Sequence, residues 1–98
     1  MNTRKVTLLV NDESVQIEEF VQKLIGDVIS GMLVNLKGTD VKQAIDISIN
    51  GDVMNITNGG NAVATNPFVG DFIRKIMIGM VSSLKGAGEI DRLEIHIT

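Results

Sequence analysis

The chain has no cysteine, tryptophan or tyrosine, and its 98 residues include one proline, one histidine and three phenylalanines. Without cysteine it has no disulfide, no thiolate nucleophile and no zinc–cysteine site. Aromatic residues make up only 3% of the chain, so aliphatic side chains and methionine must build the core. The net charge is −3, and the few lysines and arginines are scattered. We therefore expect no nucleic-acid partner, because phosphate binding needs clustered positive charge.

Long apolar runs are also missing. No stretch approaches the roughly 18 consecutive apolar residues of a membrane span, and the run Val6–Val10 is too short for a secretory signal. The sequence therefore predicts a cytoplasmic protein without a membrane partner. The hydrophobic content of 44% and the mean hydropathy of +0.22 nevertheless exceed what a small monomer needs. We expect one domain, residues 1–98, with a surplus of apolar surface.

The second half of the chain repeats the first. When residues 3–50 are aligned without a gap on residues 51–98, 11 of the 48 pairs are identical, and ten of these pairs lie between Phe20 and Ile49. A unit of this length rarely buries its own apolar face. The two pseudo-repeats are therefore expected to close on each other about a twofold axis.

Two helices are predicted, at about residues 18–37 and 67–85. Asn66 is a suitable N-cap for the second helix, and Pro67 suits its first turn. Both helices are predicted to end at a Leu-Lys-Gly sequence, residues 36–38 and 84–86, because glycine adopts the left-handed conformation that often ends a helix.

Four main strands are predicted from alternating polar and apolar residues, at residues 5–11, 43–50, 52–57 and 91–98. The Asn50-Gly51 pair between the second and third strands is typical of a two-residue hairpin loop, which would place Ile47 opposite Met54. The short segments 15–17 and 63–65 could either pair within the sheet or cover the helix starts.

This order of elements, βαββαβ, resembles the ferredoxin-like fold. The resemblance implies an α+β domain, with two helices on one face of a four-stranded antiparallel sheet of order 4-1-3-2. The resemblance carries no functional motif, and the ferredoxin-like fold supports many unrelated activities, so it does not imply a particular function.

The solvent face of the predicted sheet carries the side chains best suited to catalysis or ligand binding: Lys5, Thr7, Arg92, Glu94 and His96. An acid–base or metal role for His96 would need a partner such as Asp46. In the order 4-1-3-2 these two lie on opposite edges, roughly 14 Å apart at about 4.8 Å per strand. We therefore predict no catalytic residue, no metal site and no cofactor, and an enzyme is the least favoured interpretation.

A candidate ligand loop precedes the second helix, at Asn58, Gly59, Gly60 and Asn61. It lacks the lysine and the spacing of a phosphate-binding P-loop. The topology is similar to that of ACT regulatory domains, which bind small metabolites at subunit junctions. That similarity implies an alternative function, a small-molecule-sensing regulatory domain, in which this loop contacts the ligand.

The helices carry more apolar residues than one sheet face needs. Val34 and Ile78 fall in or near the polar strips of the two helices, so they are candidates for a subunit interface. Gly31 and Gly79 hold one shared mid-helix position, which suggests a close backbone approach. The leading hypothesis is a non-enzymatic self-association module, a homodimer, with a further protein partner possible.

Overall fold

The computed structural model describes residues 5–84 and 89–98. Two helices and a six-stranded antiparallel sheet form an α+β fold within these residues. In chain order the elements are β1 (Val6–Val10), β2 (Glu13–Val15), α1 (Glu19–Leu33), β3 (Ile45–Asn50), β4 (Val53–Asn58), β5 (Asn61–Ala62), α2 (Pro67–Ser82) and β6 (Arg92–Ile97).

The strand order is β2-β1-β6-β3-β4-β5, so the predicted ferredoxin-like order 4-1-3-2 is wrong. Two of its three strand pairs are present, β1 with β6 and β3 with β4, but β6 and β3 meet at the centre where β1 and β4 were expected. The short strands explain the difference. Because β2 pairs with the free edge of β1 and β5 with that of β4, neither edge is open to the other.

The hairpin between β3 and β4 is two residues out of the predicted register. Ile47 lies opposite Ile56, and Met54 lies opposite Ile49. The loop is formed by Gly51 and Asp52 instead of Asn50 and Gly51, and Gly51 has a φ of +60°. A left-handed glycine in the first loop position is what a type II′ turn requires. A shift of two residues keeps each side chain on its predicted face, so the apolar face is unchanged.

Strand pairing follows the same 48-residue offset that aligns the identical residues. The pair Val6–Ile97 joins β1 to β6. Moving each residue by 48 positions along the chain, forward for Val6 and back for Ile97, gives Met54–Ile49, which joins β4 to β3. At the centre, Ile47 lies opposite Ile95, its own counterpart in the alignment.

One face of the sheet forms the core with both helices. Alternate residues of the central strands are buried together with apolar residues of α1 and α2, including Ile25, Ile29, Leu33, Ile73, Met77 and Val81. Among the described residues, no helix packs on the opposite face of the sheet. The molecule is correspondingly flat, with principal extents of 35 × 35 × 19 Å.

The two helices cross the sheet in opposite directions. α1 begins beside β1, where the amide of Val6 donates a hydrogen bond to Oε1 of Gln22 at 3.2 Å. The segment that follows α1 is bound by Asn58, at the end of β4. α2 begins beside β4, where Met54 and Gly70 line one groove, and the segment after α2 is bound by Asn11, at the end of β1.

Both helices are shorter than predicted. Asn66 caps α2 as expected, accepting a hydrogen bond from the amide of Val69 at 2.8 Å. α1 ends at Leu33 because the next residues form tighter turns, with the amide of Leu36 bonded to the carbonyl of Leu33. The predicted stop at Lys85-Gly86 lies outside the described residues. Within the described ranges, neither helix is long and apolar enough to cross a membrane.

Candidate docking surface

Large apolar side chains are exposed at corresponding places on the outer sides of the two helices. On α1, Phe20 is 72% exposed and Leu24 is 50% exposed. On α2, their counterparts in the alignment, Phe68 and Phe72, are 78% and 54% exposed. Contiguous exposed apolar patches often mark sites of protein interaction.

On α1, local hydrogen bonding agrees with the outward direction of Phe20 and Leu24. The side chain of Gln22 turns toward the sheet, where it accepts from the amide of Val6 and donates to the carbonyl of Ile17. This binding rotates a polar residue inward. Residues two positions away on either side, Phe20 and Leu24, are consequently directed outward, because successive helical residues are 100° apart.

Each exposed apolar pair is flanked by an ion pair, and the order of the charges is reversed between the helices. On α1, Lys23 bonds Asp27 at 2.8 Å. On α2, the corresponding positions are Asp71 and Lys75, which bond at 3.1 Å. We call Phe20, Lys23, Leu24 and Asp27 the α1 face, and Phe68, Asp71, Phe72 and Lys75 the α2 face.

The carboxylate of Asp71 is the best-stabilised charge of the α2 face. Side-chain hydrogen bonds from Arg74, at 2.7 Å, and from Lys75 lower the pKa of Asp71 from its ordinary value. A lowered pKa contributes stability above the unfolded value near 3.8, and that contribution is lost as the pH falls through the folded value. Because Asp71 is exposed, the effect on stability is small, but the carboxylate is charged at neutral pH.

A shallow groove of about 410 Å³ runs along the α2 face, lined by Phe68, Asp71, Phe72, Lys75 and Ile76. The two phenylalanine rings stack, with centroids 6.2 Å apart and planes at 21°. Aromatic side chains are enriched at the centre of protein interfaces, and charged side chains are typical of the surrounding rim.

The two predicted interface residues are in different surroundings. Val34 is exposed at the C-terminal end of α1, whereas Ile78 is half-buried against the core. The suggested close approach at Gly31 and Gly79 is wrong, since both are exposed and an added Cβ would meet nothing within 4 Å.

The polar sheet face contains a charged cluster that the predicted strand order had excluded. Because β3 and β6 are neighbours, Asp46 lies beside His96, with Oδ1 2.6 Å from Nδ1. Nε2 of the same ring is 3.4 Å from Oε1 of Glu94. The predicted separation of roughly 14 Å was therefore wrong. All three side chains are more than a third exposed, so these contacts contribute at most about 1 kcal/mol each.

The other predicted residues of this face lie in different surroundings. Arg92 forms an ion pair with Asp12, which raises the pKa of the guanidinium through a side-chain hydrogen bond. Thr7 lies opposite His96 in the β1–β6 ladder, and Lys5 is exposed before β1. In residues 5–84 and 89–98, no group of three or more histidine or acidic side chains could hold a metal ion.

The candidate ligand loop is the turn between β4 and β5. Gly59 and Gly60 have positive φ, as a type I′ turn requires, and Asn61 lines a groove of about 530 Å³. Asn58 is buried, and its side chain is used within the protein. It accepts from the amide of Asp40 at 2.8 Å and donates to the carbonyls of Asp40 and Ala44.

Replacing Asn58 with alanine is expected to destabilise the fold by about 2–3 kcal/mol, because it removes three hydrogen bonds of a buried side chain, including the one that the amide of Asp40 donates. Chemical denaturation would measure this loss. Asn61→Ala is the matched control and is expected to stay within about 0.5 kcal/mol of the wild type, since Asn61 is exposed. Equal effects of the two substitutions would contradict the structural role of Asn58.

Comparison of the chain with protein-family models, with curated proteins and with solved structures gives no match.

Sequence pattern did not single out the residues of the two faces. Phe20, Leu24, Phe68 and Phe72 are four among many apolar helical residues, and periodicity alone does not rank them. A signal was present in the alignment of the halves, because two apolar pairs with i,i+4 spacing coincide with a reversal of charge at the aligned positions 23/71 and 27/75.

Proposed function

We propose that the chain is a non-enzymatic self-association module, a homodimer in which the α2 face of one copy packs against the α2 face of the other. The exposure of Phe68 and Phe72 is the observation that carries this proposal. Both rings would become buried in the dimer, as aromatic anchors at interface centres are.

The apolar area supports a weak dimer. At about 200 Å² per phenylalanine side chain, the two rings expose roughly 250 Å² per copy. Burying about 500 Å² in a dimer would contribute roughly 12 kcal/mol at ~25 cal/mol per Å². Association itself costs on the order of 4–15 kcal/mol. At the lower end of that cost the surplus is about 8 kcal/mol, which corresponds to a dissociation constant of about 1 μM, and a higher cost makes the dimer weaker.

The charges of the α2 face support one arrangement of the helices. When two copies of α2 run antiparallel about a twofold axis near Phe72, Asp71 of each copy lies toward Lys75 of the other. A parallel arrangement would instead place like charges together. The antiparallel dimer is therefore self-complementary, as an interface between identical subunits must be.

The proposal includes an internal duplication. Residues 3–50 and 51–98 would be two copies of one unit, fused in a single domain. The identical residues and the strand pairing share one offset, and Ile47 lies opposite its counterpart Ile95. A duplicated unit would also account for the apolar pairs at corresponding positions of both helices.

Sedimentation equilibrium from about 1 μM to about 1 mM tests the dimer, a range chosen from the estimated affinity. We expect the wild type to associate with rising concentration, and Phe68→Glu with Phe72→Glu together to weaken this association at least tenfold. The control is Val53→Glu, which charges a 61% exposed apolar residue on the open sheet face. A monomeric wild type throughout would refute the proposal.

A further inference from the structure

We infer that the α1 face is a second docking site for another copy of this chain, so that dimers joined through their α2 faces continue to associate through their α1 faces. The inference rests on the proposed α2 dimer and adds a second contact to it. The protein would then assemble into species larger than a dimer.

The α1 face has the same design as the α2 face. Phe20 and Leu24 provide an exposed apolar pair with i,i+4 spacing, and Lys23 and Asp27 provide a charged pair. When two copies of α1 run antiparallel, Lys23 of each lies toward Asp27 of the other. This face is therefore also complementary to itself, which commits it to a second copy of the chain as its occupant.

Mixed antiparallel packing of α1 on α2 is disfavoured by the same charges. It would bring Lys23 toward Lys75 and Asp27 toward Asp71, because the order of charges is reversed between the helices. Like charges in an interface select against an arrangement. Among antiparallel arrangements, the charge pattern thus favours each face pairing with its own kind. A parallel contact of α1 on α2 would join Lys23 to Asp71 and Asp27 to Lys75, and mixing the two-residue variants described below distinguishes it from self-pairing.

The positions of the two faces explain why a single dimer leaves one of them uncovered. The α1 face lies at the start of α1 beside β1, and the α2 face lies at the start of α2 beside β4. Three strand spacings separate β1 from β4, about 14 Å. We place the twofold axis of the proposed dimer at the α2 face, in an arrangement in which the two α1 faces do not meet across it. In this arrangement the α1 faces of an α2-linked dimer stay exposed.

The contact between α1 faces is expected to be weaker than the contact between α2 faces. Leu24 replaces the second phenylalanine and is 50% exposed, so the α1 face offers less apolar area than the α2 face. We expect dimers to form first as the concentration rises, and larger species to appear at higher concentrations.

Sedimentation equilibrium of three variants tests this scheme. The α1-face variant carries Phe20→Glu and Leu24→Glu, the α2-face variant carries Phe68→Glu and Phe72→Glu, and the third carries all four substitutions. We expect the average mass of the wild type to rise beyond twice the chain mass of 10.6 kDa. The α1-face variant should stop at a dimer, the α2-face variant should form a weaker dimer, and the third should be a monomer.

The outcomes separate the inference from the proposal on which it rests. A wild type that stops at a dimer, together with an unchanged α1-face variant, would overturn the second site and leave the α2 dimer standing. An α2-face variant that associates like the wild type would overturn the α2 dimer itself. If each two-residue variant is monomeric alone but the two dimerise when mixed, α1 packs on α2. Both the α2 dimer and the second site on α1 would then be wrong. Circular dichroism and thermal unfolding check that each variant is folded.

Discussion

Replacing Ile95 with alanine is expected to destabilise the folded chain by about 2–5 kcal/mol, the loss typical of a buried isoleucine that leaves a cavity. Ile95 is fully buried in β6, opposite Ile47 of β3, at the centre of the sheet. The free energy of unfolding of a small domain is only about 5–15 kcal/mol, so this single change would remove a large fraction of it. Urea unfolding at one fixed protein concentration would measure it.

Val53→Ala is the control for this substitution, because Val53 also lies in a strand but is exposed on the open face. Its effect should stay within about 0.5 kcal/mol. An equally small effect of Ile95→Ala would contradict the central position of β6.

The strand order can be tested with the same pair of positions. Ile47→Val and Ile95→Val should each cost about 0.5–1.5 kcal/mol. Because the two side chains are direct cross-strand neighbours, the double variant should depart from additivity by about 0.5 kcal/mol or more. In the order 4-1-3-2 these residues would lie on opposite edges of the sheet, and their effects would simply add.

Local pattern predicted most of the elements, because alternation and helical periodicity act over short distances. The second helix, its Asn66 cap and the buried face of each main strand followed directly from the residues. The strand order did not, since it depends on which edges remain free. Three-residue β2 and two-residue β5 occupy the edges of β1 and β4, and segments this short carry too little periodicity to be assigned as paired strands.

The error in strand order also decided how the polar residues were interpreted. With β3 and β6 placed apart, His96 was separated from Asp46, whereas the two are in contact. Gln22 faces the sheet through hydrogen bonds with Val6, 16 residues away, and with Ile17, five residues away. Such bonds give no periodic signal. The sequence pattern alone therefore placed the interface at Val34 and Ile78, which stays a prediction.

The charge pattern of the α2 face leads to a sharper test of the proposed dimer. Asp71→Lys gives a chain with two positive side chains at this site, and Lys75→Asp gives one with two negative side chains. In an antiparallel dimer of either variant, both cross-subunit contacts join like charges. At about 0.5–1 kcal/mol per contact, each variant should dimerise roughly tenfold more weakly than the wild type.

Mixing these two variants should restore association, because every contact between positions 71 and 75 in the mixed dimer then joins a positive side chain of one copy to a negative side chain of the other. Energy transfer between differently labelled chains would report the mixed dimer directly. The same reversals at Lys23 and Asp27 leave the α2 contact unchanged, so they should affect only the species larger than a dimer. The preference for the mixed dimer should also decline as salt increases, because the charges are exposed and screened. A mixture that associates no better than either variant alone would show that α2 does not pack antiparallel on its own copy.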